Sequence, residues 1–251
     1  MTKQTHNPGE QEQRQPRDTA FWAEYTERLK VSEMPEDAVN LNVDGRRTVG
    51  PLQGFGKMWQ KTYRIRLEGA DTTPAEVVET WKETFPKFWM PGNRFLTSRA
   101  GLSPGDVALI NSDVPGSRWF STGIVVIYAD DESFTYMTPE GHPFSGWITF
   151  SSHTADDGCT VAQVQLLIRA NDPLYELMMP VALHRVEDMT WQHTLRSVAA
   201  HFGASGEVET RVVCVDPKRQ WRQYKNIRHN AMIRSALHAI TAPLRRTPSH
   251  T

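Results

Sequence analysis

The order of secondary-structure signals between residues 57 and 203 constrains this chain more than any single motif does. An alternating stretch leads into a helical one, then six strand-like runs at short spacing, then one long helical stretch. In 57–68, Trp59, Lys61, Tyr63, Ile65 and Leu67 share one face, and Gln60, Thr62, Arg64 and Arg66 share the other. That period of two is the mark of a half-buried strand. Thr73 and Pro74 open a helix as cap and first-turn residue. Val77, Val78, Trp81 and Phe85 then recur at helical spacing, with a stop expected near Pro86. Runs over 94–99, 106–112, 118–129, 133–138, 144–153 and 160–169 are separated by turn formers such as Ser103-Pro104-Gly105, Pro115-Gly116 and Asp156-Asp157-Gly158. Connections this short join neighbours as hairpins, so the expected sheet is antiparallel. A helical stretch runs from Asn171-Asp172-Pro173 to Gly203, with Pro180 expected to break or kink it.

The flanks read differently. Residues 1–16 are Gln-, Glu- and Pro-rich and are expected to be a disordered tail. In 17–56, Asp18 can cap a helix with the stripe Phe21, Trp22, Tyr25 and Leu29, followed by a long irregular linker. Beyond the central unit of 57–203, the segment 204–251 offers a strand over 208–215 and then a basic helix from Pro217 to about Ile240. The expected fold class is therefore α+β: a curved antiparallel sheet of about seven strands against a long helix, with an extra N-terminal helix and a C-terminal strand–helix extension.

Composition narrows the function classes. The 251 residues carry a net charge of −1, which supplies no field to steer the molecule to nucleic acid. Residues 217–251 hold eight Lys or Arg and no acid, leaving −9 on residues 1–216. A basic segment on an acidic body either docks on that body or meets an anionic partner. No apolar run approaches membrane-span length, the first 18 residues are polar, and there are only two Cys, Cys159 and Cys214. The expectation is a cytoplasmic protein with reduced thiols and no membrane span. G-x-S-x-G, H-E-x-x-H, Walker and dinucleotide glycine motifs are all lacking, so no cofactor and no metal site is expected.

The element order, together with the run Tyr136-Met137-Thr138-Pro139-Glu140-Gly141-His142-Pro143, resembles the START-like, polyketide-cyclase-like helix-grip superfamily, SRPBCC, over about three-fifths of the chain. The resemblance implies an internal cavity between sheet and long helix. It implies as partner a small hydrophobic or aromatic molecule, lipid or polyketide-like. Some members are cyclases or hydrolases, so acid/base catalysis in the same cavity is an alternative, and an interaction module using the basic C-terminal helix is another. The flanking segments would cover the cavity mouth or form a homodimer contact.

Several residues are candidates for that cavity. His184 and Asp188 are four apart on the long helix and share a face, a geometry for a general acid/base oriented by a carboxylate. The alternative is a solvated helix start. Extending the apolar face of Trp191, Leu195, Val198 and Phe202 backward reaches His184, Glu187 and Asp188. Lys61 is the odd member of an apolar strand face: a buried amine with lowered pKa, an anchor for an anionic ligand group, or a chain that snorkels to the edge or marks a slip in the alternation. His142 sits in a hairpin where loops at a cavity mouth carry function. Tyr63, Trp89, Tyr136 and Trp191 are candidate pocket walls or plain core.

Overall fold

The computed structural model describes residues 21–31, 34–35, 38–97, 102–112 and 120–241; the tail of 1–16 and the cap at Asp18 lie outside the described residues. The elements are β1 (Thr48–Val49), β2 (Met58–Arg66), α1 (Pro74–Phe88), β3 (Asn93–Thr97), β4 (Val107–Ser112), β5 (Ser121–Ala129) and β6 (Ser133–Pro139). There follow β7 (Phe144–Thr154), β8 (Thr160–Ala170), α2 (Pro173–Met178), α3 (His184–His201), β9 (Glu209–Asp216) and α4 (Ala231–Thr241). The strands form one antiparallel sheet in the order β3-β4-β5-β6-β7-β8-β2-β9, with β1 paired to β6 off that path. Every predicted strand and both central helices are present.

Alternation builds two cores on the two faces of the sheet. On one face, Tyr63, Ile65, Val126, Phe134, Phe150 and Leu166 meet Trp81 and Phe85 of α1 and Leu195 and Val198 of α3. On the other, Val107, Leu109 and Val125 meet Leu29 and Val43 of the N-terminal linker. The linker is therefore the cover of the sheet's back face. Without it those strands would expose the apolar face that alternation gives them.

Helix α1 starts as expected. Thr73 Oγ1 accepts from Glu76 N, and the Glu76 carboxylate accepts from Thr73 N at 2.7 Å, closing a capping box. The stop near Pro86 is not observed: the helix passes Pro86 and ends at Phe88. It does so by distorting at Thr84 (φ −121°, ψ 21°), whose hydroxyl donates back to Thr80 O. Pro180 interrupts the second helical stretch, as expected. The chain passes from α2 to α3 through a π-type turn over Met179–Leu183, which absorbs the missing N–H.

Two flank expectations are corrected. Residues 21–31 are not the helix predicted from Phe21, Trp22, Tyr25 and Leu29. A bulge between Val126 and Tyr128 leaves Ile127 O free of β6, and Ala23 N donates to it at 3.0 Å. Trp22 pairs with Tyr128, their rings 4.6 Å apart, and Tyr25 is 90% exposed. The available edge backbone outcompetes a short helix that has nothing to dock on. The basic segment is not one helix either. It is a 3-10 stretch over Trp221–His229 and then α4, divided at Asn230. Asn230 Oδ1 caps α4 through Ile233 N, and its Nδ2 donates to Asp172, itself the cap of α2.

The extension docks on the body. Strand β9 adds to the β2 edge, and buried Arg169 of β8 donates to Gly56 O and Lys218 O and pairs with Asp216. Arg219 pairs with Glu176 at 2.9 Å, Arg234 donates to Asn42, and Met232 N donates to Tyr175 OH. Gly141, in the β6–β7 turn, has φ +90° and faces His229 O; an added Cβ would come within 2.0 Å of that oxygen. Only glycine allows the turn and the extension to approach this closely.

Candidate functional site

Between the sheet and α3 lies a cavity of about 280 Å³. Strands β3 to β7 floor it with Phe95, Ile110, Ile124, Tyr136 and Ile148. Helix α3 contributes Glu187 and Trp191, the end of α1 contributes Trp89, the β6–β7 turn contributes His142, and α4 reaches in with Met232. The extension is thus part of the wall. The lining is overwhelmingly apolar, and its rings form a connected set. Trp89 and Trp191 lie edge to face at 5.7 Å, Trp89 meets Phe95 at 5.5 Å, and Phe95 stacks on Tyr136 at 6.1 Å.

Among the described residues, five that line the cavity carry a buried polar atom with no hydrogen-bond partner: Trp89 Nε1, Thr122 Oγ1, Tyr136 OH, Glu187 Oε1 and Trp191 Nε1. Buried polar groups without partners are few in native proteins, and each costs on the order of 1–3 kcal/mol. Among the described residues, five of the nine that carry such atoms line this one apolar space. Burial pushes the Tyr136 hydroxyl well above its ordinary range, so it stays protonated and able to donate.

Behind the wall is an ionic cluster. Lys61 is 1% exposed. Its Nζ lies 2.7 Å from Glu187 Oε2 and 2.8 Å from Asp188 Oδ1, and Tyr63 OH donates to the same Asp188 oxygen at 2.5 Å. The Lys61–Glu187 contact is an ion pair without hydrogen-bond alignment, since neither Glu187 oxygen has an aligned donor. Burial outweighs the nearby ammonium and, with Asp188 adding to it, raises Glu187 to about 7. Lys61 cannot snorkel because β9 pairs with β2 opposite it, Lys61 to Val212, and α3 crosses the other side.

The sequence-predicted residues divide into two groups. Trp89, Tyr136, His142 and Trp191 line the cavity. Lys61, Tyr63 and Asp188 form the cluster one layer behind it. His184 does neither: its ring sits edge-on to Trp59 at 5.0 Å, and burial with the Lys61 charge lowers its pKa. No hydrogen bond joins it to Asp188, whose oxygen is taken by Lys61 and Tyr63. Phe144 N donates to His142 Nδ1 at 3.0 Å, and burial brings that ring down to about 4, so it is neutral near pH 7. The sequence places Glu187 on the inward helix face, but sequence reasoning gives a role there only to His184 and Asp188. The signal was present: Glu187 lies four residues before Trp191 and so on the same helix face.

Among the described residues, no group of three or more His, Cys, Asp or Glu is arranged to hold a metal ion, and no helix is long and apolar enough to cross a membrane.

No family model matches the chain, and no curated protein matches it. Solved structures do resemble it. Ara h 8.0201 is 12% identical, with a TM-score of 0.42 over 58% of this chain and 97% of that one. A START superfamily protein from Mycobacterium smegmatis is 17% identical, with a TM-score of 0.41 over 59% of this chain and 98% of that one. A protein from Nitrosospira multiformis is 19% identical, with a TM-score of 0.38 over 57% and 95%. At these identities and scores the likeness is one of general shape, and the assignment rests on the chain's own topology. An antiparallel sheet entered by one strand and a helix, continued by six strands and crossed by α3 over a cavity, is a helix-grip fold.

Proposed function

We propose that the protein binds a small apolar or aromatic molecule in the cavity between the sheet and α3. One observation carries the reading: an aromatic-walled space of about 280 Å³, five of whose lining residues hold buried polar atoms without partners. Space of this kind, apolar with a few convergent polar groups, is what small-molecule sites look like. The volume favours a compact guest, such as a bicyclic aromatic, over a long-chain lipid. The test is titration with naphthalene-type probes, read by tryptophan fluorescence and melting temperature. A bound probe quenches or shifts Trp89 and Trp191 emission. At about 100-fold excess over its Kd it stabilises the fold by roughly 2.7 kcal/mol. The variant Ile148→Trp fills the cavity from β7 and is expected to abolish both effects while remaining folded. Probe binding that survives Ile148→Trp unchanged would place the guest elsewhere and sink the reading.

A second reading, acid/base turnover of the guest, draws on a separate observation. Glu187 is a buried carboxyl in the cavity wall at about 7, the range in which a general acid or base is most effective. On this reading Glu187, not the His184–Asp188 pair, moves the proton. Glu187→Gln would then abolish turnover and His184→Ala would spare it; the reverse pattern would reject the assignment.

A further inference from the structure

Counting charge around Lys61 shows an imbalance that the cavity can correct. The cluster holds one cation, Lys61, and two carboxylates, Glu187 and Asp188. Asp188 is doubly satisfied, by Lys61 Nζ and by Tyr63 OH. Glu187 has one poorly aligned contact on Oε2 and nothing on Oε1, although its side chain is only 3% exposed. It is also the acidic side chain of the cavity wall. A buried carboxylate oxygen in that position lacks a donor, and a charged donor would satisfy it best.

We propose that the guest is an aromatic amine-bearing molecule whose protonated nitrogen donates to Glu187 Oε1. This rests on the cavity being the binding site. Two features support a cation over a neutral donor, and a third suits the rest of the molecule. A second positive charge balances the two carboxylates, which an alcohol would not do. Trp191 lies one helical turn beyond Glu187 on the same face, and its ring and that of Trp89 are 5.7 Å apart. Indole faces near a carboxylate add cation–π attraction to the ion pair. The remaining lining is apolar and aromatic, which suits the hydrocarbon part of such a molecule.

The groups around Glu187 come from several elements. Strand β2 supplies Lys61 and Tyr63, and α3 supplies Asp188 and His184. Strand β6 supplies Tyr136 to the same cavity, and the β6–β7 turn supplies His142. Burial lowers both imidazoles, His142 to about 4, so neither provides the missing positive charge above pH 7. Tyr63 and Tyr136 are raised and stay neutral.

The experiment compares naphthylmethylamine, naphthylmethanol and naphthoate on the full chain by calorimetry and tryptophan fluorescence. At about pH 8 the amine is expected to bind roughly tenfold or more tightly than the alcohol, and naphthoate most weakly. Glu187→Gln should remove that preference, Lys61 keeping Asp188 as its partner. In the wild-type protein the preference should shrink at about pH 5.5, where Glu187 is protonated. This pH series stands as a test by itself if the variant does not fold. Equal affinity for amine and alcohol at both pH values overturns the amine inference and leaves the cavity reading in place. Failure of all three probes to bind overturns both.

Discussion

Lys61→Met is expected to destabilise the protein by about 3–5 kcal/mol at pH 8, the cost of leaving a buried charge without its partner. The wild-type arrangement explains the size. Lys61 is 1% exposed and sits within 2.8 Å of two carboxylates, one of them, Glu187, equally enclosed. Methionine matches the length and apolar stem of lysine, so packing changes little and the loss reads out the charge. At pH 5 the penalty should be smaller, because Glu187 without Lys61 takes up a proton more readily. Denaturant melts at both pH values check this. The double variant Lys61→Met/Glu187→Gln should recover a substantial part of the loss, as expected for residues in direct contact. A loss below about 1 kcal/mol at both pH values would mean that the cluster is solvated like a surface pair, and the electrostatic account of the site would fail.

The buried lysine also shows how far the sequence could be read. The face it sits on follows from alternation in 57–68, and so does its oddness there. Its burial does not follow, because that depends on β9, which begins about 150 residues later and converts β2 from an edge strand to an interior one. The same division runs through the rest of the molecule. Hairpin spacing and period-two patterns made the strands and their order legible, since these are local signals. The back-face cover was less so: Leu29 and Val43 pack on β4 and β5, but their spacing in 17–56 carries no regular period. Phe21, Trp22 and Tyr25 show helical spacing, yet Trp22 bridges Tyr128 and no α-helix forms, because the bulge at Val126–Tyr128 offers a carbonyl that no sequence pattern advertises. In α3 two pairs stand four apart, His184 with Asp188 and Glu187 with Trp191. Chemistry draws attention to the first; the packing of Trp191 into the core sets the phase and turns the second toward the cavity.

The second large effect is a change in the shape of the stability–pH profile on Glu187→Gln. Glu187 holds its proton to about 7 in the folded state, against an ordinary value of 4.5. Its contribution to stability is therefore complete below pH 4.5 and lost as pH rises through 7. His142 has the opposite sign. Its folded value is about 4, against an ordinary 6.5, so its contribution is complete above 6.5 and lost as pH falls through 4. Each shift corresponds to roughly 3 kcal/mol by linkage. Between pH 4.5 and 6.5 the two slopes oppose each other, and the wild-type profile should be shallow there. Glutamine does not titrate, so the variant keeps the rising slope of His142 and loses the falling one. The stability of Glu187→Gln relative to wild type should then increase by about 3 kcal/mol from pH 4.5 to 7.5. His184 and His229, lowered like His142, and Asp172, raised like Glu187, are present in both proteins and cancel in this difference. Parallel profiles for the two proteins would show that Glu187 titrates as it does in the unfolded chain. It would then be a solvated carboxylate, and neither proton transfer nor recognition of an ammonium group could be assigned to it.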